Sequence, residues 1–308
     1  MRSTTPSDSE LQHDAVEYEV IHTTHYSYES IKRSSVMSLC MKPRETERQH
    51  IESYSLSVTP ETLVDEDLDI FGNSRHVFDV HRPHKNLTVS SSARVRMHQS
   101  ASSDSEDEAI EWDSLDSYRS DWRLWEYLNP TDLTRTSVDL KDWSKKLGSL
   151  NWDDPVEFLE SLEQRLSETI SYRPGRTTID STVEEVLTHR EGVCQDISQL
   201  MIAIARSWNI PARYVSGYLY DTPGDANRFA EDATHAWVEC LLPNTGWRSF
   251  DPTNPGGLED SRIIVGYGRD YRDVPPIKGI TVGEGEAEMD VNVVVLRTGA
   301  QQYQQVSE

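Results

Sequence analysis

The run Glu191-Gly-Val-Cys-Gln-Asp-Ile-Ser-Gln-Leu-Met-Ile-Ala-Ile-Ala-Arg-Ser-Trp208 decides how the rest of the chain is read. Its apolar spacing predicts a helix that begins near Cys194. Ile197, Leu200, Met201 and Ile204 fall at i, i+3, i+4 and i+7, the pattern of one buried stripe. Asn209-Ile-Pro211 stops it. A cysteine at a helix start meets unpaired N–H donors and about half a positive charge. Such surroundings favour the thiolate, the reactive form of the side chain. A buried, inert thiol is the alternative for any single cysteine. That alternative suits Cys40 and Cys240, the latter on the same strand face as Ala236, Val238 and Leu242.

Downstream, Ala212-Arg-Tyr-Val-Ser-Gly-Tyr-Leu-Tyr220 and Thr234-His-Ala-Trp-Val-Glu-Cys-Leu-Leu242 read as strands. Pro243-Asn-Thr-Gly246 turns the chain into a third, Trp247-Arg-Ser-Phe-Asp251. A helix packed on an antiparallel sheet makes this part α+β. His235 shares a strand face with Trp237 and Glu239, and Asp251 closes the next strand on the face of Trp247 and Ser249. Singly, the histidine reads as a satisfied core residue and the aspartate as a turn cap before Pro252. Together with Cys194 they supply a thiol nucleophile, a base for its proton and a carboxylate to orient the base. A plain hairpin sets Val238 opposite Asp251, three residues and about 10 Å from His235, so a bulge or another register has to bring the pair together.

Upstream, Asp154 caps a helix with Pro155 in its first turn and Val156, Leu159, Leu162 and Leu166 on one face. A short helix is expected over Thr182 to Arg190. Helical patterns also cover Asp121 to Leu128, ended by Asn129-Pro130, and Ser137 to Leu147. The acidic run Ser100-Ala-Ser-Ser-Asp-Ser-Glu-Asp-Glu108 reads as a linker. Before it, short alternating segments separated by Pro43, Pro60, Gly72-Asn73 and Pro83 predict an all-β, sandwich-like domain. The expected organisation is a disordered tail over 1–16 and a β domain over 17–99. An acidic linker with connector helices covers 100–150, a catalytic domain 151–296, and a disordered tail 297–308.

The 30 basic and 53 acidic residues of the 308 give a net charge of -23. That surface repels phosphate backbones and anionic lipid, which excludes nucleic acid and membrane surfaces as expected partners. No run of about 18 apolar residues and no apolar leader occurs, so neither a membrane span nor a secretion signal is expected. With Cys40, Cys194 and Cys240 too few for a disulfide framework, reduced thiols and a cytoplasmic location are expected. His22-Thr-Thr-His25 and His81-Arg-Pro-His84 mimic metal spacing, but i and i+3 on a strand point to opposite faces, so no metal is expected. Gly283-Glu-Gly-Glu286 lacks the lysine and helix start of a phosphate loop, and no other cofactor is indicated.

Four segments carry a family resemblance: Glu191-Gly-Val-Cys-Gln-Asp196, Asn209-Ile-Pro-Ala-Arg-Tyr-Val-Ser-Gly-Tyr218, Thr234-His-Ala-Trp-Val-Glu239 and Phe250-Asp-Pro-Thr-Asn254. They resemble the bacterial transglutaminase-like proteins of the papain-like thiol superfamily. Gly268-Arg-Asp-Tyr-Arg-Asp-Val-Pro-Pro-Ile-Lys-Gly279 extends the likeness. Tyr26-Ser-Tyr28, Pro43-Arg44 and Asp69-Ile-Phe-Gly-Asn73 resemble the small β domain that precedes the core in this family. The likeness spans Glu17 to Leu296, except for about 102–140. It implies a papain-like core in which Cys194, His235 and Asp251 form a triad that attacks an amide carbonyl and passes through a thioester. The oxyanion would be held by the Cys194 backbone N–H, with Tyr172 or Gln195 as the second donor. The implied activity is a peptidase or amidase acting on a peptide or protein. Alternatives are a protein-glutamine amine transferase and a binding scaffold that keeps the fold with an idle triad. Hydrolysis is favoured over cross-linking because no calcium loop is evident to restrain a cross-linker.

Overall fold

The computed structural model describes residues 15–98, 110–135, 137, 140–143, 146, 152–220, 234–257 and 261–298. Of the tails expected over 1–16 and 297–308, residues 1–14 and 299–308 lie outside the described residues, while Ala15 and Val16 belong to the first strand. The acidic run 100–108 and five of the eleven residues of the helix expected over 137–147 also lie outside the described residues. The chain is mixed α+β, mostly sheet.

The first six strands are β1 (Ala15–Lys32), β2 (Ser34–Leu39), β3 (Gln49–Thr59), β4 (Val64–Leu68), β5 (Ser74–Val80) and β6 (His84–His98). In β1, Val16, Tyr18, Val20, His22 and Thr24 are buried while the residues between them are more open, the period-two pattern of a half-buried strand. These strands form two four-stranded sheets. Tyr28, Met37, Leu39, Phe78, Val80, Leu87 and Val89 pack into a shared core. Each sheet is completed from the far end of the chain. β13 (Ile277–Val282) pairs antiparallel with β2, and β14 (Ala287–Thr298) pairs antiparallel with β1. The expected catalytic domain running to residue 296, with a disordered tail from 297, is therefore corrected. Residues 277–298 belong to the N-terminal sheets, because their backbone hydrogen-bond partners lie there.

Between these two contributions sits the second part. Its sheet has the order β11-β10-β9-β12, made of β9 (Ala212–Leu219), β10 (Thr234–Leu242), β11 (Gly246–Phe250) and β12 (Arg262–Gly268). Among the described residues, its longer helices are α1 (Pro155–Thr169), α2 (Val183–His189) and α3 (Cys194–Ser207). Asp154 caps α1 as expected, its carboxylate accepting from the N–H groups of Val156 and Glu157. A two-residue parallel pair, β7 (Ser171–Tyr172) with β8 (Glu191–Gly192), ties the end of α1 to the approach to α3.

α3 differs from the one-striped helix expected, since every residue from Asp196 to Arg206 is buried. The sheet covers one side, while α1 and the segment 127–134 close on others. The polar residues that this traps are paired. Ser198 Oγ donates to the Ala236 carbonyl, and Gln199 Oε1 accepts from the Tyr271 N–H. The Arg206 guanidinium donates to the carbonyls of Tyr127, Asn129, Ala212 and Arg269. Such pairing offsets the desolvation cost of burying them.

Candidate active site

The nucleophile candidate sits where two local devices meet. Val193 is extended and Cys194 opens α3. Asp196 folds back over the turn, its Oδ2 accepting from the Val193 N–H at 2.8 Å and from the Thr177 hydroxyl at 2.6 Å. Gly192 leaves room for this carboxylate, since a Cβ there would stand 3.0 Å from the Asp196 Cβ. Cys194 is half-buried, in contrast to the fully buried Cys40 and Cys240. Burial raises both of those thiols, Cys40 to about 11. The rings of Tyr214 and Tyr271 meet edge to face with centroids 6.4 Å apart, and burial, with a smaller contribution from Cys194, raises both phenols.

β10 supplies the base. His235 lies opposite Gly217 of β9, with its ring near-parallel to that of Trp237 at 6.1 Å. A Cβ on residue 217 would meet the Ile263 carbonyl at 2.1 Å and the Trp237 ring at 2.6 Å, so only glycine admits this packing. His235 Nε2 donates to Asp251 Oδ2 at 2.7 Å, and the Cys194 thiol is a second hydrogen-bond partner of the imidazole. The three residues predicted as a triad are thus brought together.

The register explains how. Val238 pairs with Phe250, not with Asp251, because the tight turn over 243–245 starts β11 at Gly246. Continuing that register places Asp251 opposite Trp237, on the same face as His235 and two residues from it. The offset expected from the sequence, with Val238 opposite Asp251, is corrected by one residue, and that one residue decides the face.

Asp251 is fully buried and held from all sides. Its Oδ1 accepts from the Thr253 N–H and hydroxyl and from the Asn254 N–H, at 2.8–3.2 Å. The Arg262 guanidinium lies 3.4 Å from Oδ2, and the Asp251 N–H donates to Glu163 Oε1. Burial alone would push the His235 imidazole down. The Asp251 charge, its hydrogen bond and the Cys194 thiol outweigh burial and hold the imidazole protonated well above the ordinary histidine range. Burial likewise works against the Asp251 carboxylate, and His235 and Arg262 reverse it, leaving Asp251 below the ordinary carboxylate range.

Of the two oxyanion candidates, Tyr172 lies on β7 in register with Gly192, two residues before Cys194. Gln195 follows Cys194 in the first turn of α3 and is half-buried. Nothing in the sequence marked Glu163, Arg262 or the Asp196–Thr177 brace. Tyr214 and Tyr271 lie within the segments that carry the family resemblance, where nothing in the sequence distinguishes them from their neighbours.

Residues 145–252 match the transglutaminase-like superfamily, and residues 18–96 match the bacterial transglutaminase-like N-terminal region. A Mycobacterium leprae relative, the uncharacterized protein ML0607, is 33% identical over 90% of this chain and 98% of its own length.

The chain belongs to the bacterial transglutaminase-like family.

Within this family, a protein-glutamine gamma-glutamyltransferase of Pseudomonas aeruginosa is 32% identical over 105 residues, 32% of this chain and 16% of that protein. A solved structure from Cytophaga hutchinsonii, described as a candidate cysteine protease, shares the fold. Its TM-score is 0.74 at 22% identity, covering 92% of this chain and 91% of that one. The transglutaminase-like match encloses Cys194, His235 and Asp251 alike.

Proposed function

We propose that this chain is a cofactor-free thiol enzyme that cleaves an amide or peptide bond of a peptide or protein through a thioester on Cys194. The observation that carries the reading is His235, buried between the Cys194 thiol and the Asp251 carboxylate 2.7 Å away. An imidazolium in that position stabilises the thiolate beside it. The Cys194 sulfur adds to the carbonyl carbon, forming a C–S bond. His235 passes its proton to the departing nitrogen as the C–N bond breaks. Water then attacks the thioester, His235 takes a proton from it, and C–S cleavage restores the thiolate. The Cys194 backbone N–H at the start of α3 and the Tyr172 side chain are assigned to the oxyanion, each donor worth about 3 kcal/mol of transition-state stabilisation. Gln195 is the alternative second donor.

An amine intercepting the same thioester would give transamidation in place of hydrolysis. The likeness to the Pseudomonas gamma-glutamyltransferase favours keeping this second reading in the test. A cytoplasmic location goes with the proposal, supported by three free cysteines. No helix among the described residues is long and apolar enough to cross a membrane.

The test is brief iodoacetamide treatment followed by intact mass measurement, with His235→Ala beside the parent chain. Fast single-site labelling of Cys194 near pH 6–7 is expected, slowed on the order of 100-fold in the variant. Labelling of the parent at the rate of an ordinary thiol of pKa about 8.5 sinks the catalytic reading and leaves the idle scaffold. Glutamine peptides supplied with and without a primary amine then separate the two fates of the thioester.

A further inference from the structure

Around Asp251 stand two charged residues to which the triad chemistry assigns nothing. Arg262 opens β12 and is only 6% exposed. Its Nη2 reaches Asp251 Oδ2 and the Gly257 carbonyl, both at 3.4 Å, and its buried Nε has no hydrogen-bond partner. A guanidinium so poorly bonded costs stability where it sits. What offsets the cost is the negative charge of Asp251 and of Glu163 on α1. Glu163 in turn accepts the Asp251 N–H, so one residue braces the backbone of Asp251 while the other faces its carboxylate.

Among the described residues, the charged and titratable groups that act on this cluster come from four elements. His235 comes from β10, Cys194 from α3, Arg262 from β12, and Glu163 from α1 with Glu160 one turn before it. Arg248 of β11 is paired with Glu160 at 2.6 Å and so is not the cation of Asp251. Charges of both signs, on His235, Arg262 and the half-buried Glu163, thus gather around Asp251.

We propose that Arg262 and Glu163 are positioning residues of opposite sign that set how strongly His235 keeps its proton. Arg262 draws on the same carboxylate oxygen as the imidazole and weakens its hold on the proton. Glu163 opposes Arg262 and strengthens that hold. The inference rests on the triad reading above and assigns its pH range to residues outside the triad.

The experiment is NMR titration of the full chain with labelled histidine, the His235 signal being assigned by its loss in His235→Gln. Arg262→Met is expected to raise the His235 midpoint by about one pH unit, and Glu163→Gln to lower it by a similar or smaller amount, since a charge within ~4–6 Å moves a titration by a unit or more. Arg262→Lys, which keeps the charge, is expected to return the midpoint towards that of the parent. A structural role would not move the two variants in opposite directions. Midpoints that coincide with the parent, or that move the same way, overturn the proposal. If Arg262→Met fails to fold, the Glu163→Gln arm decides, because a midpoint that stays or rises there overturns it as well. Cys194→Ser separates the two readings. It lowers the His235 midpoint if sulfur and imidazole form a pair, and a midpoint that does not respond to it defeats the triad reading itself.

Discussion

His22 in the N-terminal sheet and His235 in the second sheet are almost equally withdrawn from water, at 1% and 4% exposure, yet their chemistry diverges. His22 faces hydroxyls: Tyr218 at 3.0 Å from Nδ1 and Thr24 at 3.3 Å from Nε2. Burial lowers it from 6.5 to about 4, so it stays neutral. His235 faces a carboxylate and a thiol, and is held protonated far into the alkaline range. The buried neighbour, not burial, separates a structural histidine from one able to carry a proton in a reaction.

The largest effect should come from erasing that neighbour. Asp251→Ala turns His235 into a second His22 and strips the turn over Thr253 and Asn254 of its acceptor. Breaking a buried pair from one side costs about 3–5 kcal/mol, and urea unfolding at neutral pH is expected to show a loss of that order. A loss below about 1 kcal/mol would mean that the pair holds no charge.

The second effect separates the two histidines by pH. A histidine whose folded value lies below its unfolded one loses stability as pH falls. For His22 the loss begins near pH 6.5 and is complete below about 4, amounting to about 3 kcal/mol. The His235–Asp251 pair behaves oppositely. His235, raised, contributes fully below the ordinary histidine range and loses its share as pH rises through its folded value. Asp251, lowered, contributes above the ordinary carboxylate range and loses its share only in stronger acid. Between pH 6.5 and 4 the pair is therefore intact while the His22 penalty grows. His22→Gln, compared with the parent by urea unfolding at pH 7 and pH 4.5, should show a smaller acid loss. Equal losses would remove His22 from the account. The smallest effect is that of Tyr218→Phe. It removes the hydroxyl facing His22 and its donation to the Met41 carbonyl, and should cost about 1 kcal/mol in the same assay.

The same contrast shows what was legible in the chain. Cys194, His235 and Asp251 could be found because each sits at a locally marked place: a helix start behind a glycine, a strand face, a strand end before proline. The strand and helix identities around them followed from periods of 2 and 3.6. The hairpin register was missed by one residue because the turn over 243–245 fixes it, and loop length is not readable from the strands it joins. Arg262 and Glu163 were invisible for another reason. One lies on an edge strand and the other on a helix 88 residues before Asp251, and no local pattern marks residues that meet only in the folded state. The partners of β13 and β14 escaped likewise, since an alternating strand declares its faces but not its neighbours.

That last pairing has a consequence for how the chain comes into being. β1 and β2 are made first, and their outer neighbours β14 and β13 last, with the whole second sheet synthesised between them. During translation the early strands must wait with open edges, which are templates for wrong partners. The two N-terminal sheets can close only when the C-terminal strands arrive, so completing this region also confirms that the sheet carrying His235 has already been made.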